Sequence, residues 1–98
     1  MPYFISLMRM TPKGLLELEN SPDRSRISEE RVERLGGRSL ALFATLGGYD
    51  FVQIFEMPDN AAMMEYVLAA RRDGYVDPLI LSAFDSAQWA SIVHKVTQ

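Results

Sequence analysis

Cysteine is absent from this chain of 98 residues, so disulfides, thiolate-held zinc and cysteine nucleophiles are excluded. Histidine occurs once, at His94, which excludes a metal site built from several imidazoles. No apolar run approaches the roughly 20 residues of a membrane-crossing helix. Basic runs are missing too. Ten Lys and Arg stand against thirteen Asp and Glu, a net charge of −3, and an acidic chain without a basic stretch argues against nucleic acid as a partner. The stretch from Met1 to Met8 lacks the basic flank and small-residue cleavage site of a targeting segment, so a cytoplasmic location is expected. Neither a phosphate-cradling glycine loop, a dinucleotide fingerprint, G-x-S-x-G nor H-E-x-x-H occurs. No cofactor, no metal, no nucleic acid and no membrane is therefore expected as a partner.

What is present is an ordinary globular composition, 48% apolar and 23% charged. At this length a single domain over 1–98 is expected, with one modest core. Tyr3 to Met10 is short, apolar and aromatic, the pattern of a strand. Thr11-Pro12 suits an N-cap and first helical position, and Leu15, Leu16 and Leu18 give that helix its buried side. The helical stretch 12–35 should bend or break at Ser21-Pro22, with Ser21 as a second cap, and stop at Gly36-Gly37. Ser39 to Leu46 and Phe51 to Met57 read as strands joined through Gly47-Gly48-Tyr49-Asp50. A helix over 60–73, capped by Asp59, ends at Gly74. Tyr75 to Phe84 is a further strand, which Pro78 confines to an edge or a bulge. Asp85 and Gln88 form a variant capping box for a helix over 86–96, whose stripe is Trp89, Ile92, Val93 and Val96.

This order predicts an α+β fold: a ferredoxin-like βαββαβ domain with a four-stranded antiparallel sheet and an extra C-terminal helix. The strands are apolar on both faces, whereas helices cover only one. The other face calls for a partner, and stacking on a second copy satisfies it by two-fold symmetry. Phe43, Phe51, Phe55, Leu79 and Leu81 are the candidates for that face, its parity depending on bulges.

Thr45-Leu46-Gly47-Gly48-Tyr49-Asp50-Phe51-Val52 resembles the signature of the GYD-domain family. Asn20-Ser21-Pro22-Asp23-Arg24, Phe55-Glu56-Met57-Pro58-Asp59 and Ala83-Phe84-Asp85 followed by Trp89 resemble further landmarks of that family, in order along the chain. Asn20 stands where the family usually has an acid, and Trp89 where Phe is commoner. The resemblance implies a dimeric α/β barrel and no particular chemistry. The Gly-Tyr-Asp hairpin also resembles a turn in the effector domains of leucine-responsive regulators, but no helix-turn-helix accompanies it.

The expected function is binding of a small, largely apolar molecule by a homodimer. Tyr49, Asp50, Arg9 and Trp89 are the candidate wall or lid residues, since polar groups beside an apolar cavity orient a ligand. Two alternatives stand beside it. One is an enzyme resembling the cofactor-independent monooxygenases or isomerases, with His94 and Tyr49 as candidate catalytic groups. The other is a structural oligomer without a ligand. Plainer roles stand beside these: a rigid hairpin for Tyr49 and Asp50, helix-terminus charge for His94, and for Arg9 a strand end near water, where a neighbouring fourth strand would allow a cross-strand ion pair with Asp77. Arg38 reads as a solvated loop residue.

Overall fold

The computed structural model describes residues 1–98. Strand β1 (Tyr3–Met10) leads into Thr11, whose extended backbone and side chain cap helix α1 (Pro12–Leu16) by accepting the Gly14 N–H. That helix is a single turn. It lies against the sheet through buried Gly14, where a Cβ would collide with the carbonyl of Tyr75. Leu15, Leu16 and Leu18 consequently stay at least half exposed, contrary to the buried side expected of them.

A 3₁₀ turn over Leu18–Asn20 carries the chain into helix α2 (Ser21–Arg34). The break expected at Ser21-Pro22 thus falls just before it, and Ser21 is helical rather than a cap. The reason is continuity: Asn20 already holds αR geometry, so no extended residue precedes the helix, and neither Asn20 nor any other side chain caps it. At the other end Gly36, with φ +86°, closes α2 as expected. Gly36 N–H donates to Glu33 and Gly37 N–H to Val32, satisfying two orphan carbonyls.

Strands β2 (Arg38–Ala44) and β3 (Phe51–Glu56) follow. Helix α3 (Asn60–Asp73) is capped by Asp59 and ends at Gly74, φ +79°. Strand β4 (Val76–Ala83) precedes helix α4 (Ser86–Val96), which carries the expected capping box of Asp85 and Gln88. The sheet order is β2-β3-β1-β4, and every pairing is antiparallel. Pro78 sits on edge strand β4, where a missing N–H costs no ladder bond on the outer side. Within one chain the sheet is open and does not close into a barrel.

Helices α2 and α3 cover one face. Phe4 and Phe55 from the sheet, and Met57 just beyond β3, pack there with Val32, Met63, Tyr66 and Val67. This corrects two of the five face assignments. Phe55 is fully buried under the helices, and Phe51, four residues away on the same strand, shares its side. Phe43, Leu79 and Leu81 do lie on the uncovered face, with Ile5, Leu7, Val52 and Ile54. In β2 the register jumps between Ser39 and Ala41, so Leu40 is an extra residue. That bulge reverses the parity of everything before it, which is why Ser39 and Leu42 share a face. Arg38 is not a loop residue: it opens β2 and pairs with Glu56 at 3.2 Å. Helix α4 buries none of its residues on the chain and lengthens the molecule to 54 × 30 × 18 Å.

Candidate functional site

The end of the helix–sheet layer beyond the packed core is hollow. A cavity of about 130 Å³ lies between α2, the end of α3 and the strands, walled by Met8, Met10, Leu42, Phe51 and Val76. Its origin is visible in α2. Ser21, Ser25 and Ser28 recur at helical spacing on the side facing the cavity, where a core-facing helix would carry larger apolar residues. Ser25 turns its hydroxyl back onto the Ser21 carbonyl, and the volume a leucine would fill stays empty. For scale, an apolar cavity of roughly 150 Å³ holds one benzene molecule.

The floor is polar and buried. Gln53 of β3 and Tyr66 of α3 are both inaccessible or nearly so. Tyr66 Oη donates to Gln53 Oε1 at 3.1 Å, Ser28 Oγ lies 2.6 Å from Tyr66 Oη, and Ser28 Oγ donates to Gln53 Oε1 at 3.4 Å. Gln53 Nε2 donates to Ser39 Oγ at 3.2 Å, which fixes the amide. Burial pushes the Tyr66 phenol above its ordinary value, opposed by the bond with Ser28 and the charge of Arg31, so the ring keeps its proton.

The mouth is cationic. Arg31 pairs with Asp73 at 2.9 Å. Arg24 lies over the Tyr75 ring at 4.3 Å and donates to the carbonyls of Glu17 and Gly14. Lys13 stacks on the same ring at 4.4 Å and donates to the Asp73 carbonyl. Two arginines, Arg24 and Arg31, and one carboxylate, Asp73, therefore line the cavity, with Lys13 beside them on Tyr75, on a chain whose net charge is −3.

The residues singled out from sequence lie elsewhere. Arg9, Tyr49 and Asp50 do come together, at the β2–β3 hairpin beside the end of β1. Arg9 Nε donates to the Gly48 carbonyl at 2.7 Å, with its guanidinium 4.8 Å from the centre of the Tyr49 ring. That contact takes the place of the ion pair with Asp77, which stands opposite in register but unbonded. Asp50 Oδ2 accepts the Met10 N–H at 2.7 Å, and Asp50 N–H donates to the Met8 carbonyl. The motif so ties the hairpin to the last residues of β1, two of which wall the cavity. None of Arg9, Tyr49 or Asp50 lines it. Trp89 and His94 are exposed on α4, away from both places, and the imidazole of His94 meets only the amide of Gln98. The serine spacing in α2 was the signal in sequence for the cavity; its polar floor had none, because Gln53 and Tyr66 are single residues on separate elements with no spacing to link them.

No group of three or more His, Cys, Asp and Glu converges to hold a metal ion, and no helix is long and apolar enough to cross a membrane.

Comparison with known proteins accords with the GYD landmarks. The chain is 35% identical over 88 residues to the glutamine synthetase and cystathionine beta-lyase binding protein of Thermus thermophilus, covering 89% of this chain and 93% of that one. Its backbone resembles the crystal structure of TTHA0845, also from Thermus thermophilus, with a TM-score of 0.55 and 18% identity over 88% of this chain and 96% of the other, a likeness of fold alone. The family model of the GYD domain matches residues 4–93, from the first strand to the last helix, and the chain belongs to the GYD-domain family.

Proposed function

We propose that this chain is a non-catalytic small-molecule-binding protein. The observation that carries the reading is the cavity. A hollow beside a packed core forfeits dispersion contacts and hydrophobic stabilisation, of order 24 cal/mol per Å³ of cavity. Its buried polar floor is bonded internally and keeps hydroxyl lone pairs that can accept from a ligand. Its mostly apolar walls suit a mostly apolar ligand body. The test is to fill it. Ser25→Leu places an apolar side chain in the hollow; it should hold or raise the melting temperature and abolish the shifts that small molecules produce in a metabolite screen. A wild-type chain that no compound shifts overturns the reading. The enzyme alternative has less support, since His94 and Tyr49 both stand outside the cavity.

The working form in this proposal is a homodimer of ferredoxin-like protomers that stack their uncovered faces into a dimeric α/β barrel. Phe43, Leu79 and Leu81 are 61%, 48% and 42% exposed there. Burying a side chain of this kind is worth roughly 1.5–3 kcal/mol. Stable association needs about 1,600 Å² in total, within reach of one sheet face together with the unpacked stripe of α4. Trp89 would then meet the partner rather than the ligand.

The relative's printed name favours a second reading, in which this chain docks on another protein. Its α4 stripe and outward leucines offer apolar surface for that. Co-elution with glutamine synthetase or cystathionine beta-lyase from the same organism would support it, and separate elution of both would remove it.

A further inference from the structure

We infer that the cavity between α2, α3 and the sheet takes a single-ring aromatic acid carrying a hydroxyl group, the hydroxybenzoate class; this rests on the small-molecule reading above. Size comes first. About 130 Å³ admits one six-membered ring and no second one. The walls that would flank the ring, Met8, Leu42 and Phe51, are two polarisable or aromatic groups and a leucine, well matched to a flat apolar body.

The floor then specifies the buried end. Ser28, Tyr66 and Gln53 Oε1 form a triangle of three contacts. Only two hydroxyl hydrogens are available to make them, because Gln53 Oε1 is an acceptor alone. Both hydrogens are spent within the triangle, so what the floor still offers is hydroxyl lone pairs, and a ligand hydroxyl donates to one of them. A charged group is excluded from this end. Tyr66 is itself held neutral by burial, and an anion there would face the same penalty.

The mouth specifies the other end. Arg31 gives one terminal nitrogen to Asp73 and keeps its remaining N–H groups, while Arg24, which also lines the cavity, brings the local charge to a cationic excess. A carboxylate at the mouth balances that excess and meets a guanidinium that can bind it through two nitrogens.

The experiment is calorimetric titration of the intact chain with 4-hydroxybenzoate, benzoate and phenol. The inference expects 4-hydroxybenzoate to bind about tenfold more tightly than either of the others, each of which lacks one anchor. Added salt should weaken 4-hydroxybenzoate and benzoate and leave phenol unchanged. Arg31→Gln should erase the advantage over phenol, and Ser28→Ala the advantage over benzoate. If either variant fails to fold, the salt dependence on the unaltered chain decides. Equal binding of all three, blocked by Ser25→Leu, would overturn the ligand class and leave the cavity reading standing. No binding by any of them, nor by any compound of the wider screen, would overturn both.

Discussion

Tyr66 joins the buried polar floor to the rest of the core, and its proton is the group there that titration can reach. Its value is raised by burial above the ordinary one of about 10. A phenol so raised contributes stability that is complete below pH about 10 and is lost as pH climbs through the folded-state value, because the unfolded chain releases the proton first. Tyr66→Phe should cost about 1 kcal/mol at neutral pH through its lost hydrogen bonds. The gap between the two proteins should narrow in urea melts taken above pH 10; parallel profiles would mean that the phenol does not titrate with unfolding. A second residue-scale case is Gly14. The Tyr75 carbonyl accepts the Thr11 N–H at 3.1 Å and so cannot retreat from an added methyl. Gly14→Ala should therefore destabilise by about 1–3 kcal/mol, as overpacking does. Thermal melting should show this as a drop of roughly 4–8 °C per kcal/mol in a domain of this size.

At the scale of elements, the hairpin joining β2 and β3 is held to β1 by the Asp50 carboxylate together with the Asp50 N–H and the Arg9 side chain. Asp50 accepts the Met10 N–H just before the Thr11 cap, so its side chain links the hairpin to the exit of β1. Asp50→Ala should cost about 1.5–3 kcal/mol, the range for a hydrogen bond to a charged group, while Asp50→Asn should cost less. Amide exchange should quicken at Met10 in the alanine variant. Unchanged protection there would mean that the strand ladder holds β1 without the motif. The effect should extend to the cavity, since Met8 and Met10 wall it, so weaker ligand binding in the same variant would be indirect.

At the scale of the whole molecule, two surfaces lack a covering: the open sheet face and the stripe of α4. Replacing both Leu79 and Leu81 with lysine puts two charges into the proposed stacking surface while leaving the helix-covered core untouched. Sedimentation equilibrium at micromolar concentration should report about twice 11.1 kDa for the unaltered chain and one chain mass for the double variant, with unchanged helical signal. A wild-type monomer at that concentration would overturn the dimer.

The local devices were legible in the residues themselves. Asp59 with Ala62, Asp85 with Gln88, and Gly36 closing α2 all act within a few positions, so their chemistry does not depend on what the rest of the chain does. Element order followed from them, as did the edge placement of Pro78. Which face a strand turns to the helices was another matter. Alternation has the same period whichever side is buried, and the single extra residue at Leu40 inverts it within β2. Phe55 could be placed in the core only once α2 and α3 were laid over the sheet. The site followed the same rule. The Gly-Tyr-Asp turn stands out in sequence because its residues are adjacent, and it proves to hold β1 and the hairpin together. The cavity assembles Ser28, Gln53 and Tyr66 from three elements, with Ser28 and Tyr66 38 positions apart. Such a contact has no spacing to betray it, because tertiary packing alone brings those side chains together and leaves beside them the space that serines do not fill.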